Sequence, residues 1–170
     1  MVNLEEYKTE NNLNLVIDIV SIKSINFIDT APLLHVSDIK YEEEACRFRV
    51  LEFFNLDEPV SNEVSDLFIE ENKIISNMKN VVRAMYMSID SNTVIPEHMD
   101  DEDPNFRIIN VIHSSSADIE KCGMFIKDTK HKMINGSIIG LNASFEPHSV
   151  WNYTDDPLIV VVIIIKQWIQ

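Results

Sequence analysis

The run Leu158–Ile165, reading LIVVVIII, constrains the fold of this chain more than any other segment. Its residues are mostly β-branched, and branching at Cβ costs rotamer freedom in a helical turn but packs well on a pleated surface. Successive strand side chains point to opposite faces, so a strand that is apolar at every position must be covered on both sides. The chain therefore needs a sheet with this segment near its centre. The run is far shorter than the roughly 18 apolar residues of a membrane span, so no span is expected.

The remaining pattern is also mainly that of strands. Asn14–Ile22 is rich in Val and Ile. Ala45–Val50 alternates, with Cys46, Phe48 and Val50 on one face and Arg47 and Arg49 on the other. Val81–Ile89, Phe106–His113, Gly123–Lys127, Ser137–Leu141, His148–Asn152 and Leu158–Trp168 are expected strands, separated by turns rich in Asn, Asp, Pro and Gly. Asn92–Pro96 is expected as one of those turns. Val64, Leu67, Phe68, Ile74, Ile75 and Met78 recur at helical spacing, with Glu63 and Asp66 placed for a first turn, which predicts a helix over Ser61–Met78. Short strands after one helix, without βαβ alternation, predict a sandwich or jelly roll. At 170 residues the chain suits one domain, residues 1–79 buttressing a core over 80–168.

Charge narrows the partners. With 28 acidic against 14 basic residues the formal net charge is -14, and Lys and Arg are nowhere clustered. Such a surface repels phosphate backbones and anionic membranes, so neither is expected as a partner. A small-molecule or peptide substrate is expected instead. The segment Met1–Asn12 is polar and acidic, unlike a secretory signal. Cys46 and Cys122 lie far apart and are expected as reduced thiols, which suits a cytoplasmic protein.

The chemistry is concentrated in His98-Met99-Asp100 and in His148. Strand residues two apart share a face, so His98 and Asp100 can grip one ion, and a histidine from a facing strand completes three ligands. Two imidazoles and one carboxylate leave coordination positions for a cosubstrate and O₂. Three readings stay open at this point. One is an iron-dependent oxygenase. The second is a cupin-like metalloprotein with other chemistry, because His148–Asn152 fits an H-x-x-x-N pattern, although the first motif lacks the second histidine and the glutamate of that pattern. The third is a non-catalytic relative whose pocket is plugged by apolar side chains.

The stretches V-I-P-E-H-M-D (94–100), Arg107, C-G-M-F-I (122–126) and S-F-E-P-H-S-V-W-N-Y-T-D-D-P (144–157) resemble the aspartyl/asparaginyl β-hydroxylase family of Fe(II)- and 2-oxoglutarate-dependent oxygenases. The resemblance covers residues 80–168. It implies a double-stranded β-helix, a cupin-like jelly roll. It implies Fe(II) ligation by His98, Asp100 and His148, and a place for Arg107 near the 2-oxoglutarate site. The implied reaction couples oxidative decarboxylation of 2-oxoglutarate to hydroxylation of an amino acid, peptide or protein side chain.

Two positions depart from that family. The arginine usual ten residues after the second histidine, which clamps the distal carboxylate of 2-oxoglutarate, is Leu158, and a histidine usual two residues after Arg107 is Ile109. Both losses fall on cosubstrate anchoring. Lys127, and less so Lys166, are the substitutes considered. Trp151 and Phe145 are read as core, His113 and His131 as isolated histidines, and Asp101–Asp103 as a solvated rim.

Overall fold

A computed structural model describes residues 4–5, 36–41, 44–100 and 105–166. The elements in chain order are β1 (Val36–Tyr41), β2 (Glu44–Asn55), α1 (Asn62–Leu67), α2 (Ile69–Ser76), β3 (Val81–Ile89), β4 (Thr93–His98), β5 (Asn105–His113), β6 (Cys122–Ile126), β7 (Thr129–Lys132), β8 (Ile138–Leu141), β9 (His148–Asn152) and β10 (Leu158–Lys166). The expected strand Asn14–Ile22 and the acidic rim Asp101–Asp103 lie outside the described residues.

The strands form a six-stranded sheet, ordered β1-β2-β3-β10-β5-β8, and a four-stranded sheet, ordered β4-β9-β6-β7. All pairings are antiparallel. From β3 to β10 the chain changes sheet at each connection except the β6–β7 hairpin, which is the winding of a jelly roll. The fold is therefore the mainly β, cupin-like barrel that the sequence implies, with helices beside it.

β10 takes the central place its composition demands, between β3 and β5. Its odd-numbered residues, Ile159, Val161, Ile163 and Ile165, enter a core on the outer face of the six-stranded sheet. Its even-numbered residues, Leu158, Val160, Val162 and Ile164, enter a second core shared with the four-stranded sheet. The outer core is sealed by Val64, Phe68, Ile75 and Met78 from the helical segment. At its centre Phe53, Phe68 and Tyr86 stack with ring centroids 5.1–5.4 Å apart.

Two expectations are corrected. The helix over Ser61–Met78 is two short helices, capped by the Ser61 hydroxyl on Val64 N–H and interrupted at Phe68. Phe68 leaves helical geometry (φ -116°, ψ 34°) with its ring buried against Phe53 and Tyr86. Asn92–Pro96 is not a turn but mostly strand: β4 runs through Pro96. It can do so because β4 is a sheet edge and its pairing with β9 is irregular between Ile95 and His98, where a missing N–H costs no ladder bond.

Gly123 on β6 marks a close approach. A Cβ there would collide with the indole of Trp151, which packs on the outer face of the four-stranded sheet and donates its Nε1–H to Ile119 O at 2.9 Å. Gly123→Ala is expected to cost about 1–3 kcal/mol by overpacking, read as a lower urea midpoint with unchanged slope. An unchanged midpoint would mean that Trp151 shifts freely.

Candidate metal centre

His98 ends β4 and His148 begins β9, and the two residues face each other across the sheet edge. Their rings tilt at 54° with centroids 4.3 Å apart. Asp100 lies just past β4 and donates its backbone N–H to Ala143 O at 3.0 Å, tying the ligand-bearing segment to the loop before His148. One ligand atom from each of His98, Asp100 and His148 lies within 4.8 Å of the others. The sequence places Asp100 on the strand with His98, whereas the strand stops at His98.

The same device orients both imidazoles. His98 Nδ1 lies 2.7 Å from Pro96 O, and His148 Nδ1 lies 2.9 Å from Glu146 O. A carbonyl only accepts, so each Nδ1 carries a proton, which in a neutral imidazole puts the lone pair on Nε2. Glu146 is fixed in turn, its carboxylate accepting from Asn142 N–H at 2.8 Å and pairing with Lys127 Nζ at 2.9 Å. Burial opposes the charge on Glu146, but Lys127 and Asn142 outweigh it and hold its carboxyl below the usual range.

Asp100 supplies the negative donor. Its Oδ1 lies 3.7 Å from His98 Nε2, and its Oδ2 lies 2.9 Å from Arg107 Nη2. The guanidinium balances the charge of the carboxylate on its Oδ2 side, and Oδ1 faces the imidazole. One carboxylate and two imidazoles whose ligand atoms lie within 4.8 Å of one another form a donor set that a divalent cation satisfies, and the residues fit a metal.

Burial is the main influence on His148 and lowers its pKa, helped by His98 and Arg107 and opposed by Asp100 and the bond to Glu146 O. The imidazole thus stays neutral below its ordinary value of about 6.5. The unfolded chain takes up that proton first, so this group's contribution to stability is complete above pH 6.5 and is lost as pH falls toward the folded value. The metal-free protein is expected to melt at progressively lower temperature from pH 7 to pH 5, with a smaller pH effect in His148→Gln. Equal pH dependence in the two proteins would remove His148 as the cause.

Behind the triad lies a cavity of about 370 Å³ between the two sheets. Arg107 lines it together with His98, Asp100 and His148, and the other lining residues are apolar, Ile109 among them. Leu158 is packed in the inner core and Ile109 forms wall, so neither plugs the space. Lys127 is not brought to the site. It sits exposed in the β6–β7 turn with left-handed backbone (φ 53°), its ammonium paired with Glu146, outside the cavity lining. Lys166 is exposed and also outside the lining. His113 and His131 are likewise remote from the cavity wall. Phe145, read as core, is 59% exposed on the loop before His148, because that loop turns tightly through Asn142–Glu146. Sequence reasoning missed the methionines Met85, Met87, Met124 and Met133 that line the cavity. The period-two spacing of Met85, Met87 and Ile89 on β3 was the signal that could have found three of the lining residues.

The family model for aspartyl/asparaginyl beta-hydroxylase matches residues 31–167. The chain belongs to that family. The match starts some 50 residues before the motif-bearing stretch 80–168, and so takes in β1, β2 and both helices of this hydroxylase-family chain. No curated protein matches it. Among solved structures it is similar to a predicted oxalate decarboxylase from Thermotoga maritima, at 11% identity over 78% of this chain and 92% of the other, TM-score 0.49. It is also similar to the Cupin_2 domain of an XRE family transcriptional regulator from Enterobacter cloacae, at 12% identity over 71% and 98%, TM-score 0.48. A cupin 2 conserved barrel domain protein from Rhodopseudomonas palustris matches at 8% identity over 80% and 74%, TM-score 0.46. These are loose likenesses, and the fold assignment stands on the strand order. No helix among the described residues is long and apolar enough to cross a membrane.

Proposed function

We propose that this chain is an Fe(II)-dependent oxygenase that takes a 2-oxo acid as cosubstrate and hydroxylates a C–H bond of an amino acid, peptide or protein side chain. The acid that the family implies is 2-oxoglutarate. The observation that carries the proposal is the convergence of His98, Asp100 and His148 at an open cavity, with both Nε2 lone pairs free. Bound iron would supply the redox chemistry of O₂ activation. The chain's own contribution is threefold. The Pro96 and Glu146 carbonyls hold the imidazoles in one tautomer, Arg107 balances the charge of Asp100, and the apolar wall excludes water from the ligand side.

An open cavity favours this reading over a plugged, non-catalytic relative, and no fourth protein ligand of a cupin-type set joins the three among the described residues. The test is to load the protein with Fe(II) without oxygen, add 2-oxo acids, admit O₂, and follow decarboxylation. Metal-dependent CO₂ release that is absent in His98→Ala is expected. A protein that binds no metal, or binds it and consumes no 2-oxo acid, would overturn the reading.

A further inference from the structure

The cavity is polar at one end only. In the six-stranded sheet, Arg107 and Arg83 flank Ile164; the next rung inward on that face is Ile109, Val162, Met85 and Glu52, whose carboxylate is held by Arg83 at 2.7 Å outside the cavity lining, and the one after is Val111, Val160, Met87 and Val50. In the four-stranded sheet, His148 is level with His98 and Ile126, and the next rung is Val150, Ile95 and Met124. Successive rungs on one face are two residues, or about 7 Å, apart along a strand. An acid that chelates a metal at the triad therefore lays its far end against the second rung, where no described lining side chain carries an N–H, O–H or charge. Arg107 is the one cationic side chain of the described lining. It stands on the triad's own rung and already faces the Asp100 carboxylate.

We propose that the acid this cavity takes is a 2-oxo monocarboxylate with a branched apolar tail, such as 4-methyl-2-oxopentanoate, in preference to a 2-oxo diacid. The proposal rests on the reading that the triad holds a metal. A diacid would bury its second carboxylate against methyl and thioether groups with nothing to replace its water, which strongly disfavours it. An isobutyl tail loses nothing there, and methionines such as Met85 and Met124 adapt their shape to it. The volume of about 370 Å³ is at the small end for ligand pockets and suits an acid of this size.

The experiment is calorimetric titration of the full chain, first with Ni(II) as a redox-inert probe, then of the Ni(II)-loaded protein with 4-methyl-2-oxopentanoate and with 2-oxoglutarate. The monoacid is expected to bind on the order of 100-fold more tightly. Met85→Lys, which puts an ammonium on the second rung at a partly exposed position, is expected to narrow or reverse that ratio. If that variant does not fold, the ratio in the unaltered protein decides alone. Equal or tighter binding of 2-oxoglutarate, or binding of neither acid to the metal-loaded protein, overturns the inference and leaves the metal site standing. Failure to bind Ni(II) or Fe(II) overturns the oxygenase reading itself.

Discussion

Replacing His148 with alanine is expected to lower metal affinity by well over 100-fold, beyond what loss of an outer-shell partner costs, and to abolish any metal-dependent turnover. The expectation follows from how the side chain is held. His148 is 5% exposed, its Nδ1 proton is committed to Glu146 O, and its Nε2 has no other task in the described structure than to face His98 and Asp100. Removing it leaves one imidazole and one carboxylate, too few donors to compete with water. The comparison to make is Ni(II) titration of the wild type and His148→Ala, with circular dichroism to show that both are folded. Metal binding of equal strength in a folded His148→Ala would mean that the triad is not the metal site.

The largest effect on stability is expected from Phe53→Ala, about 3–5 kcal/mol. Phe53 is fully buried and contacts Phe68 and Tyr86 at centroid distances of 5.2 and 5.1 Å. Its ring joins the outer face of the six-stranded sheet to the helical segment, so truncation leaves a cavity between layers whose backbones are fixed on both sides. Urea unfolding measures the loss. A change under about 1 kcal/mol would mean that the helical segment collapses into the space, because the cost of a cavity depends on how far its walls relax. Metal affinity should be unaffected, since the triad lies on the other face of that sheet.

The parts of the fold that were readable are those where one physical demand dominates. The run Leu158–Ile165 announced a central strand because no other element can bury both of its faces, and that is where β10 sits. His98, Asp100 and His148 were readable as a group because few residue types bind metals and their sequence neighbours resembled a known family. Harder to read were features that tertiary packing decides. Phe68 fits a helical period, but its burial against two aromatic rings breaks the helix there. Pro96 looks like a turn former, and only an edge position with irregular pairing lets it lie in a strand. Lys127 is a candidate anchor only as the last residue of a strand Gly123–Lys127, whereas β6 ends at Ile126 and a two-residue turn aims the lysine at Glu146. The match over residues 31–167 shows family character before Asn80 that no short motif advertises, since β1 and β2 contribute sheet pairing and no metal ligand.

The position of β10 also has a consequence for biosynthesis. Its two neighbours, β3 and β5, are translated before it and are not paired with each other; the six-stranded sheet remains in two halves until residues 158–166 leave the ribosome. Until then both halves expose unpaired edges, and the segment that joins them is among the stickiest a nascent chain can present. Productive folding thus waits for this segment, and slow elongation through it would lengthen exposure to self-association. Yield of soluble protein should therefore respond to chaperone supply and growth temperature more than to substitutions on the surface.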